Sequence, residues 1–146
     1  MANREPDTLC SFLESWDPLQ DLEAWKRGEV PDLFDPGVAY EDTILPDHAG
    51  ETYRGFEGLI RATERWIEPF DSVSQELVTI HGAGDRRVSV HRLRMHAHHM
   101  DLDLETDVAY LWELRNGKVV YFKTFNEPGD AMTAAGLGEP PSAPLD

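Results

Sequence analysis

The stretch GFEGLIRATERWIEPF, residues 55–70, and the change of pattern after it decide the fold. Mostly apolar side chains recur every three or four residues, at Leu59, Ala62, Thr63, Trp66, Ile67 and Phe70. This spacing predicts an amphipathic helix with one buried face. After Asp71 the pattern alternates with a period of two, which predicts β-strands. The strand segments are SVSQELVTIHGAG (72–84), RRVSVHRLRMHAH (86–98), DLETDVAYLWEL (103–114) and KVVYFKTFNE (118–127).

The chain before residue 55 is mainly helical in pattern. Helical spacing is shared by Leu9, Phe12, Leu13 and Trp16. A second helical piece, PLQDLEAWKRGE (18–29), starts at a proline and ends at Gly28. The pattern leaves open whether these pieces are two helices or one kinked helix. A short strand is predicted from Val38 to Leu45.

Helices followed by a strand meander predict an α+β fold, a curved antiparallel sheet with helices on one face. A last short helix, PGDAMTAAGL (128–137), ends at Gly136. We expect a single domain over residues 8–137. Residues 1–7 are expected to be a disordered N-terminus, and the proline-rich residues 138–146 a flexible tail.

The composition argues against several classes of partner. The chain has 13 basic and 28 acidic residues, and its net charge of −15 repels phosphate backbones and anionic lipids. No apolar run approaches the length of a membrane helix, and the N-terminus lacks a signal-peptide pattern. The single cysteine, Cys10, forms no internal disulfide. We therefore expect a cytoplasmic protein that binds neither nucleic acid nor membrane.

The histidine-rich stretch RLRMHAHHMD, residues 92–101, raises the question of a metal site. On a strand, His96 and His98 share a face whereas His99 points away. Zinc requires three or four convergent ligands, which this pair does not supply. The pattern therefore favours a solvated strand end and turn from His98 to Asp101, and we expect no metal.

The same strand changes phase along its length. Val88 and Val90 are its apolar residues at first, and Leu93 and Met95 are the apolar ones later. A bulge near His91 would re-phase the strand. Alternatively both faces are buried, one of them in an oligomer contact. In the third interpretation, a polar cavity receives Arg92, Arg94 and His96.

The hairpin ELRNGKVV, residues 113–120, allows two registers. A two-residue turn at Asn116–Gly117 places Tyr110 opposite Lys123 and Trp112 opposite Tyr121. A three-residue loop with Gly117 in the left-handed region shifts the pairing by one residue. Trp112 then lies beside Phe122, and Tyr110 lies beside Thr124. The residues alone do not choose between the two.

The order of these segments resembles the SnoaL-like proteins of the nuclear transport factor 2-like superfamily. The segments that carry the resemblance are VPDLFDPGVAYED, YRGFEGLIRATERWIEPF, GDRRVSV, LWELRNGKVVYFKTF and DAMTAAGL. This superfamily includes ketosteroid isomerases and limonene epoxide hydrolases. The resemblance implies a cone-shaped sheet around a deep apolar pocket, usually in a homodimer. We expect a homodimer also because an apolar second sheet face would be too large to leave in water, with Leu93, Met95, Tyr121 and Phe125 on it.

The resemblance also assigns candidate site residues. Asp42 matches the carboxylate base of ketosteroid isomerase, and Tyr110 lies near the position of its protonated oxyanion donor. Arg92 matches a catalytic arginine of the epoxide hydrolases, and Tyr40 matches a tyrosine that holds their hydrolytic water. The pocket-facing residues that follow from this placement are Tyr40, Trp66, Arg94, His96, Trp112, Phe122, Thr124 and Asn126. Inward-facing Phe122 and Thr124 select the shifted register of the hairpin.

Two departures from the relatives narrow the expected chemistry. Arg94 and Thr124 stand where an epoxide hydrolase has carboxylates, and the first two helical segments contain no tyrosine for a ketosteroid-isomerase oxyanion site. What remains is cofactor-free proton abstraction next to a carbonyl by Asp42, with Arg92 and Tyr110 stabilising the enolate. The expected substrate is hydrophobic and able to carry an anionic group. The alternative is a non-catalytic binding or dimeric scaffold module.

Overall fold

The computed structural model describes residues 8–42, 51–82 and 84–136. Its helices are α1 (Thr8–Ser15), α2 (Pro18–Lys26), α3 (Gly55–Ile67) and α4 (Pro128–Ala135). Its strands are β1 (Phe34–Asp42), β2 (Glu51–Arg54), β3 (Phe70–His81), β4 (Arg86–Ala97), β5 (Leu102–Arg115) and β6 (Lys118–Phe125). The expected termini (1–7 and 138–146) and the last three residues of the predicted first strand (43–45) lie outside the described residues.

The first helical region forms two helices rather than one kinked helix. Asp17 interrupts the helical conformation with an extended backbone, and its side chain accepts a hydrogen bond from the Gln20 backbone nitrogen at 3.2 Å. Pro18 follows as the first residue of α2, a position that does not need its missing N–H. Gly28 ends this helix with a positive φ of 91°.

Helix α3 confirms the prediction made from residues 55–70. Leu59, Ala62, Thr63 and Ile67 are buried along one face. The Thr63 hydroxyl donates to the Leu59 carbonyl at 2.9 Å, so this polar residue is satisfied within the buried face. Phe70 was predicted to continue the helical stripe, but it begins β3 because the helix ends at Ile67 before Pro69.

The α+β fold is confirmed, as one six-stranded sheet in the order β2-β1-β6-β5-β4-β3. The pairs are antiparallel apart from β1 and β6, which run parallel. The sheet is therefore mixed, whereas the sequence predicted a purely antiparallel one. Strand β2 was not predicted, because only Tyr53 of its four residues is buried and no alternation is visible.

The phase change in β4 arises because both faces of the strand are buried at its start. Val88 and Val90 pack on the face that α4 covers, whereas His91, Leu93 and Met95 face the main core with α1–α3. Pairing of β4 with β5 is continuous, whereas the pairing of β4 with β3 is irregular between Phe70 and Ser72 and between Leu77 and Thr79 of β3. The covering element is thus α4 of the same chain, and the prediction that all helices share one face is wrong for α4.

The β5–β6 hairpin combines features of both predicted alternatives. Asn116 and Gly117 have positive φ values of 55° and 80°, as a two-residue type I′ turn requires. A bulge at Val120 then shifts the pairing by one residue. Consequently Tyr110 pairs with Thr124 and Trp112 pairs with Phe122, which is the register that the resemblance selected.

Candidate active-site cavity

A cavity of about 140 Å³ lies between the inner face of the sheet and the end of α3. Its described lining residues are Tyr40, Asp42, Trp66, Phe70, Leu93, Met95, Thr106, Val108, Tyr110, Thr124 and Asn126. Aromatic and aliphatic side chains form most of the wall, and hydroxyl and amide groups supply hydrogen-bonding positions. Asp42 is the one charged residue among those described, so the cavity has an acidic rather than a basic character.

Asp42 is the last residue of β1 and is 2% exposed. It lies on the same face of β1 as Tyr40, since side chains alternate along a strand. The parallel pairing of Tyr40 with Phe122 carries Asp42 towards Thr124, whose hydroxyl donates to Asp42 Oδ1 at 3.5 Å. The parallel pairing of β1 with β6 therefore places a carboxylate from the early part of the chain next to the last strand.

Two buried phenols, Tyr40 and Tyr110, share the cavity with this carboxylate. Burial raises the pKa of Tyr40 well above its ordinary value, and the nearby Tyr110 and Asp42 raise it further. Burial also raises the pKa of Tyr110, with the negative charge of Asp42 as the second cause. Both hydroxyls therefore stay protonated at physiological pH and are available as hydrogen-bond donors.

The structure brings together six of the predicted site residues. These are Asp42, Tyr110, Tyr40, Trp66, Thr124 and Asn126, all on the wall of the 140 Å³ cavity. Trp112 and Phe122, also predicted, lie one layer deeper, around an inner void of about 20 Å³. Tyr40, Trp66 and Tyr110 border both spaces, so they form the partition between the cavity and the inner void.

The predictions that Arg92, Arg94 and His96 line the cavity are wrong. Arg92 Nε lies 3.1 Å from Asp107 Oδ1, and Arg94 Nε lies 3.2 Å from Glu105 Oε2, across β4 and β5 on the outer face. The physical reason is the parity of β4: its odd-numbered residues from 89 to 95 face the main core. The described wall of the cavity therefore lacks the cationic side chains that we expected to bind an anionic substrate.

His96 is held on the outer face between two carboxylates. Its Nδ1 lies 2.8 Å from Asp71 Oδ1 and its Nε2 lies 2.9 Å from Asp101 Oδ1. These hydrogen bonds, with Asp71 the stronger cause, raise the pKa of His96 to about 9. The turn at His98 and His99 is exposed, as predicted. Within the described ranges, no cluster of three or more His, Cys, Asp or Glu side chains is arranged to hold a metal ion.

Some cavity residues were not predicted. Leu93 and Met95 were expected on an outer apolar face that would form a dimer contact with Tyr121 and Phe125. Instead they line the cavity, while Tyr121 and Phe125 pack near α4. Two of the four residues of the expected contact face, Leu93 and Met95, are therefore not available for it, and the homodimer stays a prediction. The remaining unpredicted wall residues are Phe70, Thr106 and Val108.

Beside the cavity runs a buried hydrogen-bond chain centred on His91, which is 0% exposed. Gln75 Nε2 donates to the carbonyls of Leu13 and Trp16 at 3.0 and 2.9 Å, which leaves Gln75 Oε1 to accept from His91 Nδ1 at 2.6 Å. The Ser89 hydroxyl lies 2.7 Å from His91 Nε2 and accepts from the Trp112 indole at 2.8 Å. These partners fit a neutral His91 with its proton on Nδ1.

The sequence did not predict this hydrogen-bond chain, because a single histidine between valine and arginine gives no sign that it is buried. Burial lowers the pKa of His91 to about 4, in keeping with its uncharged partners. The ring also contacts Tyr110 edge-on, with the centroids 5.3 Å apart. The hydrogen-bond chain therefore connects the end of α1 to β3, β4 and β5, next to Tyr110 of the cavity wall.

The fold and the cavity define a class of protein: a small α+β cone that encloses an apolar pocket with a few polar groups. The sequence profile of the SnoaL-like domain matches residues 12–122. The chain therefore belongs to the SnoaL-like family. No curated protein sequence matches the chain significantly, and no described helix is long and apolar enough to cross a membrane.

Solved structures show the same fold at low sequence identity. A protein from Jannaschia sp. CCS1 assigned to the SnoaL-like polyketide cyclases has a TM-score of 0.65 and 18% identity, over 96% of this chain and 100% of that one. A hypothetical protein with a ketosteroid isomerase-like fold from Catenulispora acidiphila, in complex with trimethylamine, has a TM-score of 0.64 and 16% identity, over 92% and 95%. An NTF2-like protein of unknown function from Burkholderia pseudomallei has a TM-score of 0.62 and 18% identity, over 90% and 98%.

Proposed function

We propose that this protein catalyses cofactor-free proton abstraction next to a carbonyl group, as an isomerase, dehydratase or cyclase of the SnoaL-like type. The observation that carries the proposal is the shared cavity of the Asp42 carboxylate and the protonated phenols of Tyr40 and Tyr110. A carboxylate can take a proton from a carbon acid, and phenols can stabilise the oxygen on which charge develops. Arg92, expected in this role, is replaced by the phenols.

The proposed step needs no group beyond these side chains. Asp42 takes a proton from the carbon next to the carbonyl, and the C–H electron pair forms the C=C bond of an enolate. The carbonyl π electrons move to oxygen, which accepts a hydrogen bond from Tyr110. Asp42 then exchanges this proton with solvent and delivers a solvent proton to the same carbon, which gives isotope exchange, or it delivers a proton to a conjugated carbon, which gives isomerisation.

The cavity restricts the proposed substrate. Its volume of about 140 Å³ is close to that of an engineered protein cavity of about 150 Å³ that holds benzene. Its apolar wall favours a hydrophobic ligand, and its single described charge, on Asp42, disfavours an anionic one. We therefore propose that the enclosed part of the substrate is a ring-sized, uncharged carbonyl compound.

The test is deuterium incorporation from solvent into cyclohexanone, 2-cyclohexenone and acetophenone, followed by NMR. We expect exchange above the buffer rate, reduced about 10²- to 10⁴-fold in Asp42→Asn because the base is removed. Tyr110→Phe should lower exchange about 10- to 100-fold because one donor is lost. Asp107→Asn, which makes the same charge change on the outer face, should exchange like the wild type. Full exchange in Asp42→Asn would refute the assignment of the base.

The second candidate function is binding without catalysis. It is favoured by the apolar, aromatic wall around one carboxylate, a setting that also suits a neutral or cationic small molecule. The Catenulispora protein, whose structure contains trimethylamine, is a protein of this fold that holds a small amine. Saturable binding of the ketone panel with no exchange above buffer would select this function.

A further inference from the structure

Trp16 carries a polar atom that no other part of the described chain satisfies. The side chain is 8% exposed, and its Nε1 is the one buried side-chain nitrogen or oxygen in the described ranges that has no hydrogen-bond partner. A buried donor left unpaired destabilises the folded chain. Such groups in folded proteins call for an explanation, and a ligand atom is one.

The surroundings of Trp16 hold its indole ring in a defined position. The ring stacks on Phe12 with the centroids 5.9 Å apart, and it meets the rings of His91 and Tyr110 at right-angled contacts of 5.9 and 5.6 Å. Its backbone carbonyl accepts from Gln75 Nε2 at 2.9 Å. The unpaired N–H is therefore preorganised, because neither the ring nor the backbone can move without loss of these contacts.

Trp16 borders the inner void, whose volume of about 20 Å³ suits a single oxygen atom. The void adjoins the main cavity at the partition formed by Tyr40, Trp66 and Tyr110. A ligand seated in the main cavity would reach the void only between these three side chains, with one atom in the void and its apolar body on the cavity wall. The void is too small for more than that atom.

We infer that the inner void is an oxygen-binding subsite in which Trp16 Nε1 donates a hydrogen bond to the carbonyl oxygen of the ligand. The inference rests on the proposed function in one respect, that the ligand is a carbonyl compound. It makes Trp16 a second donor beside Tyr110. The subsite selects ligands that carry an oxygen acceptor over apolar molecules of the same shape, since only the acceptor satisfies the buried N–H.

The test compares cyclohexanone with methylenecyclohexane, which has the same skeleton with a CH₂ group in place of the oxygen. Binding is followed in ¹H–¹⁵N spectra of the whole chain, where the four tryptophans give separate indole signals. Single Trp→Phe variants assign these signals. We expect cyclohexanone to move the Trp16 indole proton downfield in a saturable way, as hydrogen bonding does. Methylenecyclohexane should shift cavity signals such as the Met95 methyl and leave the Trp16 indole proton in place.

Variants give a second readout. Trp16→Phe keeps an aromatic ring and removes the N–H, so it should weaken cyclohexanone binding about 5- to 30-fold and methylenecyclohexane binding less than about 2-fold. Tyr53→Phe also removes a donor from a buried aromatic ring, outside the described walls of the cavity and the void, and the ratio of the two affinities should stay as in the wild type. The wild-type spectra test the inference even if Trp16→Phe does not fold.

The outcomes separate this inference from the proposed function. Cyclohexanone that binds and exchanges deuterium while the Trp16 indole proton stays unmoved would overturn the subsite and leave the proposed function standing. Equal affinities for the two probes would also overturn the subsite. A shifted indole proton without any exchange would support the subsite in a protein that binds but does not catalyse. No saturable shift with either probe would overturn the subsite, whereas the absence of exchange across the whole ketone panel would overturn the proposed function.

Discussion

Replacing His91 with glutamine should change how the stability of this protein depends on pH. His91 is fully buried, and its partners Gln75 and Ser89 are uncharged. Glutamine is of similar length and also offers one donor and one acceptor group to these partners, but it does not titrate. The variant therefore removes the acid-sensitive group and keeps much of the hydrogen bonding.

The magnitude follows from the pKa of His91, which burial lowers from 6.5 to about 4. Between these values the unfolded chain binds more protons than the folded one. The contribution of neutral His91 is therefore complete above pH 6.5 and is lost as the pH falls through 4. The difference between the two pKa values corresponds to about 3 kcal/mol of the free energy of unfolding, of which about 2 kcal/mol is lost by pH 5.

The assay is urea unfolding followed by tryptophan fluorescence at pH 7, 6, 5 and 4. At pH 7 we expect His91→Gln to be about 1–2 kcal/mol less stable than the wild type, because glutamine fits the site less well. By pH 4 the two proteins should be equally stable, or the variant more stable. Only the wild type loses stability through residue 91 as the pH falls, because His91 binds a proton more readily in the unfolded chain. The carboxylates titrate in both proteins and cancel in the difference.

A matched control is His99→Gln, which makes the same change in the exposed turn. Its free energy of unfolding should follow the wild-type pH profile. Parallel profiles for His91→Gln and the wild type between pH 7 and 4 would refute the reasoning. They would mean that His91 binds a proton as readily in the folded chain as in the unfolded one.

Two further predictions concern the outer face and the β5–β6 turn. Because the pKa of His96 is raised to about 9, its stabilising contribution is present below pH 6.5 and lost as the pH rises through 9. The stability gap between wild type and His96→Gln should therefore shrink between pH 6.5 and 10 in urea unfolding, and a constant gap would contradict the carboxylate pairing. Gly117→Ala should cost about 1–2 kcal/mol because φ is 80°, although its Cβ would meet no atom. Gly129→Ala, equally open but without a positive φ, should cost nothing, and equal effects of the two changes on the midpoint of thermal unfolding would refute the type I′ turn.

A cavity residue could be predicted from the sequence where the orientation of a neighbouring residue showed on which face of the strand it lies. Asp42 and Tyr40 share a face of β1 by alternation, and the resemblance placed that face inside. Tyr110 and Thr124 depended on the hairpin register. The bulge at Val120 decided that register, and nothing in ELRNGKVV requires a bulge at that valine rather than in the loop.

The inner void and the unpaired Trp16 N–H could not be predicted from the sequence. A tryptophan at helical spacing with Leu9 and Leu13 indicates only a buried position on α1. Whether its indole nitrogen finds a partner depends on strands β4 and β5, which supply His91 and Tyr110 more than seventy positions later in the chain. Hydrogen-bond satisfaction is a property of three-dimensional neighbours, so local pattern carries no information on it.

The sequence by itself determined most of the secondary structure and its order, with strand β2 as an exception. Periods of 3.6 and 2 mark the long helix and the four late strands, proline and glycine mark the limits of α2, and Asn116–Gly117 marks the tight turn. These features depend on residues close together in the chain, whose own side chains and backbone preferences are sufficient to produce them.

Only the tertiary structure decided which face of β4 lies inside. Alternation defines two faces, and here both carry apolar residues, so burial energy alone does not choose between them. Packing of α4 over Val88 and Val90 occupies one face and leaves His91, Leu93 and Met95 facing the main core. Arg92 and Arg94 then meet acidic partners in solvent, because a charged side chain is stable outside and costly in an apolar cavity.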